Sequence, residues 1–237
     1  HQEQQPQWGK QVYRGGKVEL QPGVTRFMNG VYGWMGAGLA VTAAVCYGLA
    51  SDPETVLALF MSPLKWVLLL APLAMAWFLP TRIPRMTKGT AIAIFMVFAA
   101  LLGAAISYVP LVYQTNTIIT AFGVSAGMFA GMALIGFTTK KDLTGMGQFL
   151  VMVLIGAVIA SLINVFLIGS TGMSLLVSGI VVVVAAGLTA YHTQAIKQLY
   201  LVQGGKGNLA ILGALMLYVD FINMFLALLR IFGGGRD

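Results

Sequence analysis

Of the seven acidic residues in the chain, Glu3, Glu19, Asp52, Glu54, Asp142 and Asp237 fall in tails or between apolar stretches. Asp220 alone stands inside one, in Leu217-Tyr218-Val219-Asp220-Phe221-Ile222-Asn223-Met224-Phe225. A carboxylate at the centre of a membrane helix costs about 2.5 to 3.5 kcal/mol on insertion scales, so it must face a partner, a cavity or water. The other polar cluster within an apolar stretch is Tyr191-His192-Thr193-Gln194. Between the two clusters lies a tight turn, Gly204-Gly205-Lys206-Gly207, and positions 192 and 220 are equidistant from residue 206. In an antiparallel helix pair, equal distance from the turn means equal depth, so His192 and Asp220 are expected to be level in the membrane. An imidazole level with a carboxylate is the chemistry of a proton or cation site. A protonated carboxyl bonded to a neighbouring helix is the purely structural alternative. Asn223 lies three residues beyond Asp220 and shares its helical face, so it joins the candidate ion or pH site; Gln194, two beyond His192, does not share that residue's face.

Other chemistries find less support. Gly123-Val124-Ser125-Ala126-Gly127 has the G-x-S-x-G spacing of a nucleophile elbow, but that motif needs a strand-turn-helix context and here it sits in an apolar helix. An intramembrane hydrolase built on Ser125, His192 and Asp220 is the remote alternative. A retinal Schiff base would need a lysine in the last apolar stretch, and none lies between Lys206 and the chain end. Zinc usually takes three or four protein ligands, and His192 and Asp220 are the only candidates at mid-membrane depth. The residues therefore point to a protein without catalytic activity and without a cofactor.

The elements that must position these residues follow from composition. Of 237 residues, 58% are hydrophobic and 9% charged, against roughly 25% charged in an average soluble domain. That excludes a soluble globular protein and a disordered one, and the single cysteine, Cys46, excludes an internal disulfide framework. Seven apolar segments, at 28–50, 61–79, 89–109, 117–138, 148–168, 173–202 and 209–232, are each long enough to cross a bilayer. None alternates apolar with polar residues, so helices rather than a barrel are expected. The predicted fold is an all-α bundle of seven transmembrane helices, with a flexible cytoplasmic tail at 1–23, a membrane domain at 24–233 and a short C-terminal tail at 234–237. Pro72 is expected to kink the second helix. With the N-terminus cytoplasmic, Lys10, Arg14, Lys17, Arg26, Arg82, Arg85, Lys88, Lys140, Lys141, Lys197 and Lys206 fall inside, and Lys65, Arg230 and Arg236 outside. That asymmetry follows the positive-inside rule, so the basic excess encodes orientation and not a nucleic-acid partner. Gly123, Gly127 and Gly131 recur every four residues in the fourth helix, and Gly30, Gly33 and Gly36 recur in the first. Small residues at such spacing let helices approach closely. Packing within the bundle is the expectation, and a homo-oligomer remains open.

The short-looped seven-helix pattern, the aromatic-x-Thr-Gln cluster at Tyr191 to Gln194, and Asp220-Phe221-Ile222-Asn223 followed by Leu228-Leu229-Arg230 resemble the Bax inhibitor (transmembrane Bax-inhibitor-motif) family over about residues 24 to 233. The resemblance implies a bundle with a central helix surrounded by the others and a pH-sensitive calcium leak gated by two aspartates. For bacterial members it also implies association with a membrane-bound ATP-dependent protease. The family's sixth-helix motif reads aromatic-Asp-Thr-Gln, and here His192 stands where that aspartate would be; Asp220 matches the second one. Ca²⁺ wants six to eight oxygen ligands, so imidazole in place of carboxylate weakens the case for calcium. Arg82 or Arg85 corresponds to a basic residue at the inner mouth that can pair with the acidic site, or else serves as a cytoplasmic anchor. The expected function is that of a bacterial inner-membrane partner or modulator of a larger assembly of the protease type, the alternative being a pH-sensitive Ca²⁺ or proton leak at His192 and Asp220.

Overall fold

The computed structural model describes residues 22–234, so the tail read over 1–23 lies almost wholly outside the described residues, as does 235–237. Every element within them is helical: α1 (Pro22–Ala50), α2 (Pro53–Met61), α3 (Leu64–Arg82), α4 (Lys88–Ala105), α5 (Val109–Val112), α6 (Thr115–Thr138), α7 (Thr144–Ile163), α8 (Thr171–Gln203) and α9 (Leu209–Gly233). Seven of these stretches are long and apolar enough to cross a membrane: α1, α3, α4 running on through α5, α6, α7 running on through a π-helical turn at Asn164–Ile168, α8, and α9. The span count expected from the sequence therefore holds. Two details differ. The connection after the first span carries a helix of its own, α2, because Asp52, Pro53 and Glu54 are helix-starting residues. The fifth span ends in a π turn, where Asn164 is held by Ser170 through two hydrogen bonds of 3.0 Å.

The last helix is the centre of the molecule. α9 is the most buried span, and it packs against α8 most extensively, then against α1 and α6, and more lightly against α3 and α4. α7 is the least buried and leans chiefly on α8. The exterior is as apolar as the core: Trp66, Trp77, Phe149, Leu167 and Val183 face outward, as side chains that meet lipid must.

Most polar side chains inside the bundle have a partner, because a buried group without one costs about 1 to 3 kcal/mol; among the described residues the exception is the Ser178 hydroxyl on α8. On α9, Tyr218 donates to Thr42 of α1, whose hydroxyl donates in turn to the Ala99 carbonyl of α4 at 2.8 Å, joining three helices. The rings of Phe95 and Phe98 meet Tyr218 edge-on, at 5.7 and 5.8 Å.

The glycine expectation needs correction. Gly123, Gly127 and Gly131 are exposed, with open space where a Cβ would stand, and the same is true of Gly30, Gly33 and Gly36. They face away from the bundle and pack no helix within it. Close approach is made by Gly136 of α6, where a Cβ would strike the Ala190 backbone of α8, and by Gly103 of α4, where a Cβ would lie 2.6 Å from the Thr42 carbonyl oxygen.

Candidate functional site

The turn that sets the depth of the site is built from left-handed backbone. Gly204 (φ 67°), Gly207 (φ 69°) and Asn208 (φ 57°) reverse the chain between α8 and α9. Glycine adopts that conformation freely, and asparagine tolerates it better than most residues. Asn208 uses its amide to donate to the carbonyls of Ile83 and Met86, at 3.0 and 2.6 Å, which ties the proline-rich connection after α3 to the start of α9. Antiparallel packing of α8 on α9 then brings His192 and Asp220 to one level, as the turn symmetry predicts. Rotation, which sequence does not encode, brings them into contact: His192 Nδ1 lies 2.5 Å from Asp220 Oδ2.

Burial around the two is unequal. The Asp220 side chain is 2% exposed and that of His192 15%. Nδ1 is occupied by the carboxylate, so Nε2 is the ring nitrogen left free of Asp220 for proton exchange. One proton between the groups gives either imidazolium with carboxylate or neutral imidazole with carboxylic acid, and both arrangements carry no net charge. On the α6 side, the Phe221 ring next to Asp220 packs edge-on against Phe122 at 5.4 Å and Phe129 at 5.8 Å, forming an apolar wall.

The other candidates fall out differently. Asn223 is half-buried on the face expected of it, but among the described residues no hydrogen bond joins it to the pair. Ser125 is fully buried and donates to the Ala121 carbonyl at 2.7 Å. A nucleophile must be hydrogen-bonded to its base, and the Ser125 hydroxyl is turned to its own helix, with no hydrogen bond to His192 among the described residues, so the Ser125 triad is not assembled. Arg82 and Arg85 are exposed at the end of α3 and in the turn after it, and among the described residues the only ion pair of Asp220 is with His192. The inner-mouth pairing of an arginine with the acid is thus not formed in this conformation.

Two residues of α8 outside the His192–Asp220 contact have clear work. Gln194 accepts from the Leu143 amide at 2.9 Å and donates to the Lys141 carbonyl at 2.7 Å, clamping the α6–α7 connection onto α8. Lys197 donates to the Phe137 carbonyl at 2.8 Å, closing the end of α6. The signal for Gln194 was present: a side-chain amide inside an apolar stretch must find partners. Tyr191 packs its ring where a Cβ on Gly147 of α7 would stand, which seats α7 against the same turn of α8.

The family model described as inhibitor of apoptosis-promoting Bax1 matches residues 24–237. The chain belongs to the Bax inhibitor family. Inner membrane protein YbhL of Escherichia coli K12 is 42% identical over 225 residues, covering 92% of this chain and 96% of that protein. A protein of Deinococcus radiodurans is 44% identical over 217 residues, with 90% and 92% covered. A membrane protein of Streptococcus pyogenes is 36% identical over 215 residues, with 89% and 93% covered. Family membership and seven apolar helices together make the chain an integral membrane protein.

Proposed function

We propose that this Bax inhibitor-family protein resides in a bacterial inner membrane, N-terminus cytoplasmic, and acts without catalysis as a modulator of a larger membrane assembly of the ATP-dependent protease type. The observation that carries this reading is the commitment of Asp220 to His192 at 2.5 Å. A carboxylate already bonded to its own neighbour, with one acid at the site where the cation wants six to eight oxygens, makes a poor seat for a hard divalent cation. What the pair does offer is a hold between α8 and the central helix that a change in proton occupancy loosens. Residence in the inner membrane agrees with the printed name of the Escherichia coli relative.

The second reading, a pH-sensitive cation or proton leak, is favoured by the residual exposure of His192, which gives the buried carboxylate a route for protons. Co-reconstitution separates the two. The protein is placed in proteoliposomes with a membrane-bound ATP-dependent protease and a membrane substrate, and substrate turnover is followed beside Ca²⁺ and proton flux. A changed turnover rate without sustained flux supports the modulator. Sustained pH-dependent flux with unaltered turnover overturns it in favour of the leak.

A further inference from the structure

We propose that the groove between α1 and α6 holds one acyl chain of an anionic phospholipid, drawn from the leaflet on the face where α1 begins, with its phosphate against a basic rim. The groove encloses about 420 Å³, within the range of roughly 300 to 1,000 Å³ that suits a single small ligand. Its walls are apolar: Met28 and Tyr32 of α1 face Phe129, Ala133 and Phe137 of α6.

Depth and closure select the occupant. From Phe129 to Phe137 the wall runs for about 12 Å of helix, close to half of a hydrocarbon core of about 30 Å. At its inner end the rings of Tyr32 and Phe129 meet edge-on, 6.4 Å apart, and Phe221 stands behind Phe129. The groove is therefore a slot about one leaflet deep, open to lipid and narrowed at its inner end by aromatic rings. An acyl chain fits that description; a hydrated ion or polar solute does not.

Charge selects the headgroup. The polar lining residues, Thr25 and Asn29, are at the end where α1 begins. Arg26 is exposed on the same turn. Lys197 is bonded to the carbonyl of Phe137, itself a lining residue, and Lys140 and Lys141 are exposed just beyond α6. The acid that follows them, Asp142, accepts from the Thr144 amide and hydroxyl at 3.0 and 2.6 Å, which favours its ionised form, so it offsets one basic charge and the rim with Arg26, Lys141 and Lys197 stays net positive. Each basic residue near a membrane surface favours an anionic lipid by about fivefold.

The test uses the full chain in phosphatidylcholine proteoliposomes containing a small fraction of phosphatidylglycerol with a diazirine midway along one acyl chain. After photolysis, adducts are mapped by mass spectrometry. The expected result is adducts concentrated between residues 28 and 32 and between 129 and 137, displaced by unlabelled phosphatidylglycerol and far less by phosphatidylcholine. Ala130→Phe fills the slot and removes those adducts. Arg26→Gln with Lys141→Gln, both at the exposed rim, leaves adducts in place but lowers the preference for phosphatidylglycerol by about fivefold per residue. Equal displacement by the two lipids overturns the proposal. So do adducts spread evenly over α3, α6 and α7, which would mark annular lipid only. A groove free of adducts, with a cross-linker joining residue 130 to residues 1–21 or to a second copy of the chain, overturns it too and names the true occupant.

Discussion

A single proton shared between His192 and Asp220 across 2.5 Å leaves the pair without net charge. Two carboxylates in the same place would behave otherwise, because they repel when both are ionised and present oxygen on both sides to a cation. His192→Asp is therefore expected to raise Ca²⁺ flux in proteoliposomes between about pH 6 and 8, a range that spans the unperturbed histidine value of about 6.5. Equal flux in the two proteins would mean that position 192 does not border an ion path. Asp220→Asn keeps the shape of the side chain and removes its titration. The variant should retain its seven helices by circular dichroism while any pH-dependent change in tryptophan emission or flux is lost. A pH profile matching that of the unaltered chain would show that the response arises elsewhere.

At the level of elements, the bundle distinguishes glycines that the sequence presents as equivalent. Gly136→Ala drives a methyl group into the α8 backbone at Ala190 and should cost about 1 to 3 kcal/mol, the range for overpacking. Gly127→Ala adds a methyl group in open space and should leave thermal unfolding in detergent almost unchanged. A loss of dimer in the second variant, with monomer stability intact, would instead reveal a homo-oligomer on that face. Sequence could not separate the two glycines because lipid is as apolar as a helix neighbour, so the usual contrast between a buried and a solvated stripe is missing; Val183 faces out and Leu188 faces in on the same helix. The depth of the pair was legible because the Gly204–Gly207 turn supplied a fixed origin, whereas the rotation that joins its members was not. Connections carry ordinary aqueous chemistry. The Thr144 hydroxyl, with its amide, holds the Asp142 carboxyl below the usual carboxylate range. Its contribution to folding is then present above the ordinary value of about 3.9 and is lost as pH falls through the depressed one. Thr144→Val should move the Asp142 titration upward in a carboxyl NMR experiment, and an unmoved titration would assign the effect to the amide alone.

For the whole molecule, the arrangement of charge across the bundle sets its orientation. Among the described residues, Arg26, Arg82, Arg85, Lys88, Lys140, Lys141, Lys197 and Lys206 lie toward the face where α1 begins, and Lys65 and Arg230 toward the other. On that same face side-chain amides hold the connections, Asn208 the one after α3 and Gln194 the one after α6. Basic loops are retained in the cytoplasm during insertion, and seven crossings leave the two ends on opposite sides. A phosphatase reporter should accordingly be inactive when fused before α1 and active when fused after α9, and a fluorescent reporter that matures in the cytoplasm should show the reverse. Both ends reporting the same side would require one span to turn back within the membrane. α3 is the span where this would occur, because Pro72 and Pro80 each remove a backbone donor from its interior. The basic rim of the α1–α6 groove faces the cytoplasmic leaflet only in the predicted orientation, so the reporter experiment also decides which leaflet supplies its lipid.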